Sequence, residues 1–135
     1  MKLKHLDEYC AARYEAAAYY SSRLNEFDPE QKYIVTPEES VHSTHVYHQY
    51  TIKVKDGRRD ALKDYLASKD IPSMIYYPLP LQEQDAFKGI TKSVGSLATA
   101  REAAYSVLSL PVHTEITRDV QDMVIDAIKS YYEGR

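Results

Sequence analysis

Tryptophan is absent from the 135 residues, cysteine occurs once and glycine only four times. The lone Cys10 has no partner for an internal disulfide, and no Cys-x-x-Cys or Cys/His spacing of the zinc type occurs, which suits a reducing cytoplasm and leaves no structural zinc to expect. With so little glycine there is no GxGxxG turn and no P-loop to cradle phosphates, and the GxSxG elbow of a serine hydrolase is missing too. No run approaches the ~18 apolar residues of a membrane span, and MKLKHLDEYC has no continuous apolar core, so neither a membrane helix nor a secretory leader is expected. Lysine and arginine total 17 against 20 acids, a net charge of −3. Without a basic excess, nucleic acid is not an expected partner.

What is present is globular in balance, with 44% hydrophobic and 27% charged residues, and the length suits one domain spanning residues 1–135. The aromatic set is lopsided, with thirteen tyrosines against two phenylalanines. A tyrosine has an apolar ring and a hydroxyl that needs a partner when buried, so such a set suits half-buried surfaces and interfaces as well as a small core.

Leu6, Cys10, Tyr14, Ala17, Tyr20 or Ser21, Leu24 and Phe27 recur every three or four residues, which predicts a helix from Leu3 to Phe27 stopped by Asp28-Pro29. A helix this long exceeds local packing needs, so residues 1–28 read as a connecting or docking element. A short strand is expected at Tyr33 to Thr36. In HVYHQYTIKVK the residues alternate, placing Val46, His48, Tyr50, Ile52 and Val54 on one face and Tyr47, Gln49, Thr51 and Lys53 on the other. Asp56-Gly57 turns the chain into a helix from Arg58 to Lys69, whose buried stripe is Ala61, Leu62, Tyr65 and Leu66.

Pro72 to Tyr77 then reads as a second strand, ended by Pro78 and Pro80, which cannot donate to a ladder. Leu97 to Val107 is helical, with Leu97, Ala100, Ala104 and Val107 on one side, and LSLPV is extended. Thr117 caps a last helix with Val120, Val124, Ala127, Ile128 and Tyr131 inward and Arg118, Asp119 and Gln121 outward. The order predicts an α+β fold, a small and mainly antiparallel sheet with helices on one face.

A catalytic constellation is not evident. His42, His45 and His48 are the nearest approach to a metal cluster, but His45 and His48 fall on opposite faces of the expected strand, so no metal site is assigned. A cofactor-bearing lysine must be desolvated, and Lys53, Lys55, Lys63, Lys69, Lys88, Lys92 and Lys129 all lie in polar surroundings. The acids Glu38-Glu39 and Glu83 with Asp85 read as solvated loop carboxylates.

HVYHQYTIKV, RRDALKDYLASKDIPSMIYYPLPLQEQDAF and SLATAREAAYSVLSLPVHTEITRDVQDMVIDAI together resemble the C-terminal portion of the DegT/StrS family of pyridoxal-phosphate-dependent sugar aminotransferases. The resemblance rests on the Arg59-Asp60-Ala61-Leu62 helix start, the block from Ile71 to Phe87, and Leu108 to Pro111 before a terminal helix. Two departures stand out: Tyr76 and Gln82 occupy positions where many members carry histidine.

The resemblance implies the small C-terminal domain of a fold-type-I aminotransferase. Its Schiff-base lysine, pyridine-pairing aspartate and most phosphate contacts would lie in a large domain absent from these residues, so this chain alone is expected to bind no cofactor and to hold no catalytic residue. It also implies a homodimer that transfers an amino group from glutamate to a keto-sugar nucleotide, with Tyr76, Tyr77 and His48 contacting the sugar nucleotide. Tyr77 packing beneath Pro78 and Pro80 is the plainer alternative for that residue. For the whole chain the alternative is a free-standing, non-catalytic binding module.

Overall fold

The computed structural model describes all residues except Met1, Ser93 and Arg135, and Lys2 by its backbone alone. After a short 3-10 turn at Lys2–His5, helix α1 runs from Leu6 to Phe27. Then follow strand β1 (Ile34–Val35), strand β2 (Tyr50–Val54), helix α2 (Arg59–Ala67), helix α3 (Ala98–Ser106), strand β3 (Val107–Leu110) and helix α4 (Arg118–Glu133). The strands form one antiparallel sheet in the order β1-β2-β3. No described helix is long and apolar enough to cross a membrane.

Register explains which face is buried. Ile34 pairs with Val54, Ile52 with Leu108 and Tyr50 with Leu110, so these six side chains share one side of the pleat. All six are buried, and they pack in one cluster with Ala17, Tyr20 and Leu24 of α1, Leu62 and Leu66 of α2, and Val124, Ile125 and Ile128 of α4. The α+β arrangement expected from the sequence is present. On the other side, Thr51 and Ser109 sit opposite one another with their hydroxyls 2.8 Å apart.

Local signals set the element boundaries. Helix α1 ends where Asp28 turns its carboxylate onto the next loop, accepting the backbone N–H groups of Lys32 at 2.7 Å, Tyr33 at 2.6 Å and Ile34 at 2.9 Å. One buried side chain thus terminates the helix and launches β1. Asp56 and Gly57 both take positive φ, at 58° and 65°, in the turn after β2. Thr117 caps α4, its side chain accepting from the backbone N–H of Val120.

Four expectations are corrected. The alternation assigned from Val46 onward begins only at Tyr50: Tyr47 has φ of 42°, a left-handed conformation that breaks the pleat and turns its own ring inward while Val46 and His48 face out. Pro72 to Tyr77 is not a strand. A single bridge joins Met74 to Ser109, with N–H to carbonyl distances of 3.0 and 2.8 Å, because Pro72 and Pro78 deny the ladder its donors on either side.

On α2, Ala61 is exposed and the buried stripe is instead Arg59, Leu62 and Leu66. On α4 the inward face is shifted by one position: Val120 is exposed, whereas Gln121 is only 1% exposed. The Gln121 amide reaches across to α1 and donates to the carbonyl of Ala16 at 2.8 Å, so a polar side chain there satisfies a buried backbone acceptor. Beside it, Tyr19 donates to Asp122 at 2.7 Å and Arg23 to the same carboxylate at 3.2 Å, completing the α1–α4 joint.

Candidate functional site

The segment after α2 passes β3 once, at Met74, and then leaves the sheet edge. The Tyr76–Tyr77 peptide is cis, and the rings meet edge to face with centroids 6.0 Å apart. Pro78 and Pro80 then carry the chain into two 3-10 turns, Leu81–Glu83 and Asp85–Phe87. Two cavities open along this path. One, of about 200 Å³, lies between the start of β2 and the end of β3 and is lined by His48, Gln49, Met74, Tyr76 and Ser109 among others. The other, of about 330 Å³, lies between α3 and the proline-rich segment, with Tyr76, Tyr77, Leu79 and Gln82 facing Ala100 and Ala103.

Tyr76 lines both cavities and is the hinge of the site. His48 shares the first with it, and Tyr77 the second. The structure therefore brings the three sequence-derived candidates to one surface, in two adjoining concavities. Tyr77 is 74% exposed and Tyr76 41% exposed, so Tyr77 does not pack beneath the prolines, and both rings are available to a ligand.

The wall opposite the tyrosines escapes sequence reasoning. The spacing of Leu97, Ala100, Ala104 and Val107 reads as a core face, but α3 lies outside the main cluster and only Ala104 is buried. Ala100, Ala103, Ala104 and Val107 face the cavity instead. Three alanines within five residues opposite Tyr-Tyr-Pro were the available signal, since small residues leave room for something to lie on the helix.

Two contacts hold that wall. Arg59, buried at the start of α2, donates from Nη1 to the carbonyl of Ala104 at 2.9 Å and to that of Val107 at 3.4 Å, while Nε pairs with Asp60 at 2.6 Å. The guanidinium thus meets the negative end of α3, whose last turn has no basic residue of its own. Across the cavity mouth, Arg101 of α3 pairs with Glu83 at 2.5 Å and fixes the Leu81–Glu83 turn.

Electrostatically the two cavities are nearly neutral. Neither is lined by a lysine, arginine, aspartate or glutamate. The described lysine side chains are exposed, except Lys63 and Lys129, which are half-buried. A pyridoxal phosphate needs a desolvated amine for its covalent attachment. The residues described offer no such amine and do not fit that group.

His42, His45 and His48 do not converge. His45 accepts the backbone N–H of Tyr47 at 2.9 Å and lies against that ring, and among the described residues no three metal-ligating side chains are grouped. Elsewhere, burial pushes the phenols of Tyr20 and Tyr50 well above their ordinary range, and the Glu39 carboxylate that accepts the Tyr14 hydroxyl at 3.1 Å raises that phenol as well.

Comparison with known proteins gives this geometry a family. The chain is 37% identical over 132 residues to a protein of Geobacillus stearothermophilus described as a pleiotropic regulatory protein, covering 98% of this chain and 34% of that one. It is 31% identical to the dTDP-3-amino-3,4,6-trideoxy-alpha-D-glucose transaminase of Streptomyces venezuelae, covering 98% and 34% of the two chains. Among solved structures, S. venezuelae DesV in complex with a ketimine intermediate superposes with a TM-score of 0.87 at 32% identity, over 98% of this chain and 34% of that one.

The chain thus spans about a third of the length of the curated relatives it matches. The family pattern covers residues 1–129, nearly all of the described fold. This chain belongs to the DegT/DnrJ/EryC1/StrS aminotransferase family.

Proposed function

We propose that these residues form the C-terminal, substrate-positioning portion of a pyridoxal-phosphate-dependent aminotransferase that transfers an amino group from glutamate to a keto-sugar nucleotide. The observation that carries the reading is the meeting of Tyr76, Tyr77 and His48 around two adjoining cavities, in a chain whose family match covers residues 1–129. Relatives named as transaminases of dTDP-sugars and of UDP-N-acetyl-3-dehydro-alpha-D-glucosamine support the substrate class. The coenzyme and its lysine belong, in this reading, to the larger portion that those relatives possess beyond the matched third.

Within that enzyme the residues seen here bind and orient. The tyrosine rings offer flat apolar faces with hydroxyl tips, and His48 offers a ring nitrogen from the adjacent concavity. The enzyme works in the cytoplasm as a homodimer, the tyrosines of one subunit approaching substrate held by the other. Domain and subunit boundaries are where ligand clefts preferentially form.

The test is a chimera joining this chain to the remaining two-thirds of the Streptomyces venezuelae transaminase, assayed for amino transfer from glutamate to a dTDP- or UDP-linked keto sugar. Turnover, with Tyr76→Phe raising KM severalfold while kcat holds, is the expected result. An unchanged KM removes Tyr76 from the substrate contact. A folded, coenzyme-loaded chimera without transfer refutes the enzyme reading and favours a non-catalytic binding module.

A further inference from the structure

Among the described residues lining the cavity between α3 and the proline-rich segment, one side-chain polar atom is both shielded from solvent and without a partner. Gln82 is half-buried and lines this cavity, and its amide Nε2 is shielded from solvent with no hydrogen-bond partner among the described residues. Buried polar groups are satisfied in the great majority of cases, and an orphaned donor is costly.

The surroundings explain why nothing inside the chain satisfies it. Most of the wall is apolar, with Leu79, Leu81, Ala100 and Ala103 offering no acceptor, and the acceptors that Tyr76, Tyr77 and Gln84 bring to the lining make no hydrogen bond to Nε2. Glu83, the adjacent carboxylate, is already turned to Arg101 on α3. That ion pair fixes the turn that carries Gln82, while the Gln82 side chain itself takes no part in it and stays free to rotate.

The absence of fixed charge from the lining limits the ligand chemistry. A phosphate in either concavity would meet no lysine or arginine in the lining, Arg101 at the mouth is already paired with Glu83, and a desolvated anion without a cation is strongly disfavoured. A neutral oxygen acceptor, by contrast, suits an amide N–H that lies among apolar side chains and two tyrosine rings.

We propose that Gln82 is a ligand-binding residue whose Nε2 donates to a neutral oxygen acceptor on the uncharged part of a nucleotide sugar, a pyrimidine carbonyl or a sugar hydroxyl. The diphosphate is met outside this cavity. Gln82 has three side-chain torsions, so a rotamer change delivers the amide to the cavity. The inference rests on the reading above in taking a nucleotide sugar as ligand, and it adds which portion of that ligand this chain recognises and through which donor.

The experiment titrates the 135-residue chain with thymidine, methyl glucoside and inorganic pyrophosphate by saturation-transfer NMR and calorimetry, beside Gln82→Met and Gln82→Glu. Thymidine or methyl glucoside is expected to bind, identifying base or sugar as the source of the acceptor. Gln82→Met should weaken that binding roughly three- to tenfold, the value of one neutral hydrogen bond. Its thermal midpoint should equal or exceed that of the unsubstituted chain, because an orphaned donor has been removed. Gln82→Glu, of similar size but without the donor, should weaken binding at least as much.

The proposal is overturned if neither neutral probe binds, if both substitutions leave their binding unchanged, if pyrophosphate binding depends on Gln82, or if Gln82→Met lowers the midpoint, which would show the amide serving the fold. None of these arms reads amino transfer. Gln82-dependent binding of a neutral probe alongside an inactive chimera would sink the earlier reading and leave this one standing.

Discussion

Arg59 and Ala104 are 45 residues apart in sequence, yet Nη1 of the first donates to the main-chain carbonyl of the second at 2.9 Å. Through this bond the first residue of α2 closes the C-terminal end of α3. Replacing Arg59 with Met keeps much of the aliphatic stem but leaves the carbonyls of Ala104 and Val107 short of a donor. A loss of about 2–3 kcal/mol is expected in urea unfolding. A loss under about 0.5 kcal/mol would show that water satisfies these carbonyls.

Asp28 accepts three backbone N–H groups and is itself buried. Asp28→Ala strands those donors at the junction of α1 and β1 and is expected to cost about 3 kcal/mol, since hydrogen bonds to a charged acceptor are the stronger kind. Asp28→Asn, which keeps the shape and loses the charge, should cost less. Chemical denaturation of the two variants at neutral pH checks both.

Arg101 and Glu83 form a pair of the opposite kind, half open to solvent. Arg101→Ala should change global stability by less than about 1 kcal/mol, the usual range for exposed ion pairs. Amide hydrogen exchange should nevertheless quicken locally over the Leu81–Glu83 turn, because the pair is that turn's tie to α3. Unchanged exchange there would remove the pair from any role in shaping the cavity.

Tyr20 and Tyr50 stack with centroids 5.1 Å apart in the core, and burial raises both phenols. In the unfolded chain they ionise near pH 10. Folding therefore retains protons that the unfolded state gives up above that pH, so the stabilisation is complete below about pH 10 and is lost as the pH climbs beyond it. The urea midpoint should be level from pH 8 to 9 and fall above about 10. The Tyr20 hydroxyl has no hydrogen-bond partner among the described residues, whereas that of Tyr50 lies 2.9 Å from Ser21 Oγ. Tyr20→Phe should therefore be neutral or stabilising at pH 7 and should flatten the alkaline decline. A midpoint lowered by Tyr20→Phe contradicts this.

The legible parts of this fold were those written in periodicity and turn chemistry. Helices α1, α2 and α4, the half of β2 from Tyr50 to Val54 and the Asp56-Gly57 turn all follow from spacing and from residue types that tolerate positive φ. What misled was polarity read residue by residue. Gln121 looks like the outer side of α4, but the carbonyl of Ala16 needs a donor, and only the approach of α1 supplies that acceptor. Arg59 looks like a solvated helix start until α3 brings two carbonyls to it.

The candidate site divides in the same way. Tyr76, Tyr77 and His48 could be named before the structure because the family resemblance implies that they contact the sugar nucleotide. The alanine face of α3 and the unpaired amide of Gln82 could not, because both depend on two segments meeting across a cavity. The apparent strand from Pro72 to Tyr77 failed because its β-favouring residues are flanked by prolines, which leave room for one bridge and no ladder.

Helix α1 has 22 residues, roughly 33 Å at 1.5 Å per residue, and its buried contacts begin only at Ala16. A rod clamped at one end is a lever. With the pivot near Ala17, Leu6 sits about 16 Å out along the arm, and a tilt of some five degrees moves it by about 1.4 Å. A load on Leu6 or Tyr9 would meet the contacts of Tyr14 with Glu39 and Tyr47 first and the Tyr20–Tyr50 stack beyond them.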